Sequence, residues 1–314
     1  MSGHCQDNAI KTVLVLAVVC LLSLASSLSC FALEPEPRKW NHLPLDANFG
    51  GVAYAYTEAD ILLNPALRLD NVDMTMKTWA GKYIRTFELF EKTARIDVAQ
   101  GFQDVEWTGL LNGTPARTSR RGLTDTLVRF GINLYGAPPL KGKAYQAYRS
   151  EQKVETIVGF GLVMRLPTGH YKEDKLLNIG KNRYGFRPQL GLIHTRGRWM
   201  FEVTTEVRLY TKNDDFFDGQ ELKQDPLYIM HGHLIYTFRP GLWIGAGFGH
   251  DYGGESAING VGMDDRKQNI GWTCSLNVPI NRTVGIKLAY IGTETKEKTG
   301  LDSNTIMTSV AFIW

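Results

Sequence analysis

The stretch Trp199–Tyr210, WMFEVTTEVRLY, decides the fold. Its odd positions are Trp199, Phe201, Val203, Thr205, Val207 and Leu209, and its even positions are Met200, Glu202, Thr204, Glu206, Arg208 and Tyr210. Successive side chains of a strand point to opposite faces. One face of this segment therefore suits oil and the other water. The same split recurs in 124–135, where Val128, Phe130, Ile132 and Leu134 oppose Asp125, Arg129, Gly131 and Asn133. It recurs again in 93–103, 270–280 and 305–314.

Twelve such segments are legible, at about 50–57, 74–90, 93–108, 123–135, 155–166, 184–195, 198–211, 227–238, 241–252, 268–280, 283–293 and 304–314. Most reach the ~9–11 residues that a tilted transmembrane strand needs. Four connections are tight, around Glu91-Lys92, Gly197, Pro240 and Asn281-Arg282. Those at 58–73, 109–122, 167–183, 212–226, 253–267 and 294–303 are long and polar. With the N-terminus in the periplasm, every tight turn falls on that side and these long loops fall outside, as in outer-membrane barrels. The long connection 136–154 breaks the pattern. An even strand count returns the C-terminus to the N-terminus. The last strand ends on Trp314, and a terminal aromatic resembles the signal that bacterial barrel-assembly machinery reads.

Composition agrees. The chain has 314 residues, 43% hydrophobic and 21% charged, with a net charge of +3, which excludes disorder over its full length. Its 35 Lys+Arg against 32 Asp+Glu give no electrostatic footprint for nucleic acid. One apolar run approaches the ~20 residues of a membrane-spanning helix, so a polytopic helical protein is disfavoured. That run, Thr12 to Ala32 behind Lys11, reads as a secretory signal peptide cleaved after Ala32. Cys5, Cys20 and Cys30 lie in it, and the mature chain keeps only Cys274, so no internal disulfide or cysteine metal site is expected. The organisation is a signal peptide 1–32, an N-terminal periplasmic segment 33–49 and a barrel 50–314.

The fold expected is all-β: a transmembrane antiparallel up-and-down β-barrel of twelve strands. Hydrocarbon offers no partners to backbone N–H and C=O groups, so only helices and closed barrels span it, and closure removes the sheet edges. The partners are outer-membrane lipid, the assembly machinery and a small-molecule solute. A soluble β-sandwich or calycin-like barrel is the rival. It would point Phe201, Val203 and Val207 inward and Glu202 and Glu206 outward.

Two stretches carry a family resemblance. Asn41–Asp73 contains His42-Leu43-Pro44, Asn48-Phe49, Tyr54-Ala55-Tyr56-Thr57 and Asp60-Ile61. Leu166–Pro188 contains Pro167-Thr168-Gly169, Tyr171, Leu176, Asn178, Gly180, Asn182-Arg183, Phe186 and Pro188, with Tyr184 where the family has Trp. The chain resembles the outer-membrane transporter family named for the meta pathway of phenol degradation. The resemblance implies a barrel that passes aromatic or other hydrophobic compounds, with no catalytic residue to carry over.

The expected channel lining is Arg95, Asp97, Asp125, Arg129, Arg165, Arg187, Glu202, Glu206, Arg208, His231, His233 and Lys287. These opposed charges fit either a plug of mutually paired side chains or a conducting eyelet with a transverse field. His231 and His233, two apart, face the same way and could meet Glu202 or Glu206 at a metal, but two histidines alone favour hydrogen bonding in the lumen, and no metal is expected. The 167–183 loop, with Pro167, Gly169, Tyr171, Asn178, Gly180, Asn182 and Arg183, is the expected constriction. Gly159, Gly161, Gly245 and Gly247 interrupt strands where a missing side chain makes lumen space. Transport needs no cofactor, and the chain is expected not to be an enzyme. The alternatives are a barrel-embedded lipid hydrolase, which would need a serine beside His250, and a structural outer-membrane protein with a plugged lumen.

Overall fold

The computed structural model describes residues 36–64, 66, 69–111 and 114–314, so the signal-peptide reading of 1–32 lies outside the described residues. In chain order the strands are β1 (Asn48–Asn64), β2 (Leu69–Leu89), β3 (Lys92–Leu111), β4 (Thr114–Leu123), β5 (Thr126–Tyr135), β6 (Val154–Leu166), β7 (Gly185–Arg196) and β8 (Trp199–Tyr210). They continue as β9 (Asn213–Phe216), β10 (Gln220–Gln224), β11 (Leu227–Arg239), β12 (Leu242–Gly253), β13 (Ser256–Ile258), β14 (Val261–Gly262), β15 (Lys267–Pro279), β16 (Val284–Thr295) and β17 (Gly300–Ile313). Antiparallel neighbours run β1-β2-β3-β5-β6-β7-β8-β11-β12-β15-β16-β17, and β17 pairs back onto β1. Twelve strands thus close a barrel, as the alternation predicts.

Side-chain direction separates the membrane barrel from its soluble rival. Phe201 is 49% exposed on the outside, whereas Glu202 is 1% and Glu206 6% exposed inside. Trp199, Leu209, Leu190, Leu234 and Phe248 share the outward apolar face. Aromatic rows lie on this exterior: Tyr54, Trp79 and Phe102 on adjacent strands, and Trp199, Tyr236 and Phe238 near the turn end. Trp314 stacks on Phe312 at 5.4 Å and exchanges both backbone hydrogen bonds with Asn48, so the two ends of the barrel chain meet.

The tight turns gather at one end. Phe90 and Glu91 make a two-residue hairpin with φ of 51° and 57°, the left-handed conformation whose twist matches paired strands. The long connection at this end holds the helix α1 (Gly142–Glu151), where the sequence shows no helical period. No residue of α1 is buried, so no apolar stripe announces it, and a helix of this length is marginal in water alone. It is pinned from outside: Tyr145 donates its hydroxyl to the His42 carbonyl at 2.9 Å, and the His42 ring meets Tyr145 and Tyr148 edge-on.

At the opposite end much of what reads as loop is strand. β1, β2 and β3 run on, β3–β4 forms a projecting hairpin, and β9, β10, β13 and β14 make a small separate sheet. The expected loops 58–73, 109–122, 212–226 and 253–267 are corrected accordingly. In this extension the polarity of the two faces is reversed. Outward positions are Glu58, Asp73, Thr75, Lys77, Asp104 and Glu106, while inward Ala59, Ile61, Val72, Met74, Val105 and Trp107 pack with Ile179 of the 167–183 loop. Water replaces oil on the outside, and the apolar side chains turn to the only dry surface available, their own interior.

Residues Glu36–Ala47 belong to the stretch 33–49 expected as an N-terminal periplasmic segment. They fold into the barrel, so the barrel chain begins at Asn48 with this segment lodged inside.

Candidate functional site

The lumen is built by the even face of β8 and the corresponding faces of its neighbours. All of the expected lining residues turn into it, most of them buried. They are not, however, one ring. Asp97 gathers Arg95 at 3.1 Å, Arg129 at 3.6 Å and Lys82 at 3.8 Å. Glu206 accepts from Arg208 Nε at 2.7 Å and from Gln189 at 2.5 Å, with Arg187 on the same wall. Ion pairs of this kind hold charge inside a wall where isolated charge would be costly.

Glu202 has a different task. Its two carboxylate oxygens accept the backbone N–H groups of Arg38 at 2.5 Å and Lys39 at 2.9 Å. This fixes the N-terminal segment across the bore. Trp40, 2% exposed, donates Nε1–H to Thr204 Oγ1 at 2.9 Å and lies under the Arg129 guanidinium at 4.7 Å. Its ring fills the space left by glycines: a Cβ at Gly159 would fall 2.3 Å from it and one at Gly191 1.9 Å. Only glycine admits so close an approach. Arg38 stacks over Trp243, and Glu36 reaches Lys82 at 2.8 Å and Lys287 at 3.8 Å on the far wall. The Lys82 charge, with Lys287 behind it, holds the Glu36 carboxyl well below the ordinary range despite burial. His42, wedged between the Pro138 carbonyl at 2.8 Å and Glu155 at 3.5 Å, joins the segment to β6 and α1.

The histidine pair faces the same space. His231 and His233 pack edge-on at 5.6 Å, and Gly247 makes room for the His233 ring. Both carboxylates considered as a third ligand are engaged elsewhere, Glu202 by the N-terminal segment and Glu206 by Arg208. Among the described residues no three such side chains converge.

The 167–183 loop packs at the outer end of the barrel. Asp125 staples it: Oδ1 accepts Gly169 N–H and Oδ2 accepts Lys181 N–H, both at 3.0 Å, with Arg165 3.9 Å away. Gly169 and Gly180 touch here, since a Cβ on either would lie 2.8 Å from the other's backbone. Asn178 knots the loop internally through Lys172 and Lys175. Tyr171 and Asn182 tie it to Asn213, and Arg183 bonds Gln224 and stacks on Tyr210. Pro167 starts the loop at the end of β6. Above it, β3 and β4, the loop segment Asp174–Leu177 and Phe217 line a half-open cavity of about 330 Å³. Sequence reading missed the N-terminal segment and this cavity. The one signal for the cavity was the reversed polarity of 58–77 and 102–108.

Comparison with known proteins agrees with this architecture. The family described as "Putative MetA-pathway of phenol degradation" matches residues 66–313. Among solved structures, an outer-membrane channel from Pseudomonas putida F1 superposes with a TM-score of 0.76 at 20% identity, over 90% of this chain and 100% of that one. The β domain of the Bordetella autotransporter BrkA gives a TM-score of 0.49 at 10% identity, over 86% of this chain and 100% of that one. No curated protein matches the sequence. The likeness to the Pseudomonas channel concerns the fold, an outer-membrane β-barrel.

Proposed function

The chain belongs to the family of the MetA pathway of phenol degradation, and we propose that it is a passive outer-membrane channel for small aromatic or other hydrophobic compounds. The observation that carries this reading is the direction of the side chains: an apolar belt outside and a charged bore inside a closed cylinder. Solute enters at the outer mouth beside the 167–183 loop, passes the walls bearing Asp97, Arg129, Glu206 and Arg208, and meets the Glu36–Ala47 segment at the turn end. The loop and this segment are the two constrictions. Diffusion down a gradient involves no cofactor and no catalytic step. In this reading residues 1–32 are removed on export, and the strand ending at Trp314 is presented to the assembly machinery.

A second reading, a structural barrel with a sealed bore, is favoured by one observation: the N-terminal segment touches β2, β8 and β16 at once. Single-channel recording in planar bilayers separates the two. For the channel, the intact protein gives discrete current steps, and deletion of 36–41 enlarges them severalfold. Steps only after deletion support the sealed barrel, and no steps in either protein overturn the channel.

A further inference from the structure

We infer that the outer cavity is a binding site for a small aromatic anion, a single ring bearing a carboxylate or sulfonate. This rests in part on the reading of the chain as a passage for aromatic compounds and names the class it captures first. The cavity lies on the concave face of the β3–β4 hairpin, with Trp107 and Val72 as its floor and Leu176, Leu177 and Phe217 as its opposite wall. Its volume of about 330 Å³ falls at the low end of the roughly 300–1,000 Å³ typical of small-molecule sites. Trp107, 8% exposed, is an aromatic side chain among the lining residues, and a ring can pack beside it.

The anion is called for by Arg120. This residue sits on the inner face of β4 opposite Val105. Its Nε donates to the Leu177 carbonyl at 3.2 Å, and its Nη1 donates to the Ser119 carbonyl at 2.8 Å and Thr118 Oγ1 at 3.2 Å. The guanidinium is thus oriented by neutral acceptors. Among the described residues no carboxylate pairs with it. The two other cations on the rim are already neutralised, Arg117 by Glu106 at 2.7 Å and Lys175 by Asp174 at 2.6 Å. A fixed, half-buried arginine with a spare donor edge beside an apolar floor recognises a ring and a planar anion together.

The test uses the full barrel in detergent and isothermal titration with benzoate, benzyl alcohol and acetate. Benzoate is expected to bind at least about tenfold tighter than benzyl alcohol, with acetate weaker still. Arg120→Met should erase the preference and leave benzyl alcohol unchanged. Leu176→Trp, in the wall of the cavity, should fill it and weaken both ring ligands about tenfold, with an unchanged unfolding midpoint of the barrel as the control. Equal affinity for benzoate and benzyl alcohol, acetate binding as tightly as benzoate, a preference surviving Arg120→Met, or indifference to Leu176→Trp would each overturn the site. Channel recording is scored separately. Binding without current steps sinks the channel and leaves the site standing, and current steps without saturable benzoate binding do the reverse.

Discussion

The membrane band of the barrel and its outer extension use the same strands with opposite polarity. On β8, Phe201 and Val203 face out and Glu202 and Thr204 face in. On the outer halves of β2 and β3, Lys77, Thr75 and Glu106 face out and Val72, Val105 and Trp107 face in. The pleat does not change between the two regions; the solvent does. Alternation therefore reports a contrast between two environments, and its sign reports which one is wet.

Substitutions can break or sharpen that contrast. The largest effect is expected for Trp107→Ala, which empties the floor of the extension. It should cost roughly 3–5 kcal/mol of local stability there. Hydrogen exchange across 102–123 should rise while the unfolding midpoint of the whole barrel stays put; a falling midpoint would mean the two regions fold as one unit. Val203→Arg, at the middle of the lipid-facing row of β8, should cost about 2–4 kcal/mol in denaturant titrations in lipid vesicles. Thr75→Arg, also outward but on the extension between Glu58 and Glu106, should change stability by no more than about 0.5 kcal/mol. If it costs as much as Val203→Arg, the extension lies in the bilayer and the contrast fails.

The smallest effect concerns pH at the outer constriction. The Lys181 side chain is exposed at the mouth, but the surrounding protein atoms, then the charges of Arg165 and Arg183, pull its ammonium down to about 8, against the favourable pull of Asp125. A lysine with a depressed value loses its charge as pH rises through that value. The anion-to-cation permeability ratio, read from reversal potentials, should therefore fall between about pH 7 and 9. Lys181→Met should start at the lower ratio and show no such step.

Much of the barrel was legible because lipid imposes a rule of period two on every strand that meets it. Strand positions agree within a few residues from β6 to β8 and at β11, β12, β15 and β16, and the inward direction of Arg129, Glu206 and His233 follows from parity alone. Where lipid is absent the rule lapses. The part of the extension at 58–73 reads as loop because its apolar positions, Ile61 and Val72, are interrupted by acidic ones. α1 reads as nothing because it buries nothing. Asp125 has lumen parity, but its bonds to Gly169 and Lys181 make it the anchor of a loop.

The sequence by itself determined that this chain closes into a cylinder with oil outside and charge within, because each strand carries that information locally, residue by residue. It could not determine what occupies the cylinder. Glu202 meets Arg38 across 164 positions, and Trp40 finds the gap at Gly159 and Gly191 only once β6, β7 and β8 are side by side. Such contacts depend on the curvature of the closed wall and on which faces it brings opposite one another, and neither is written in any single stretch of chain.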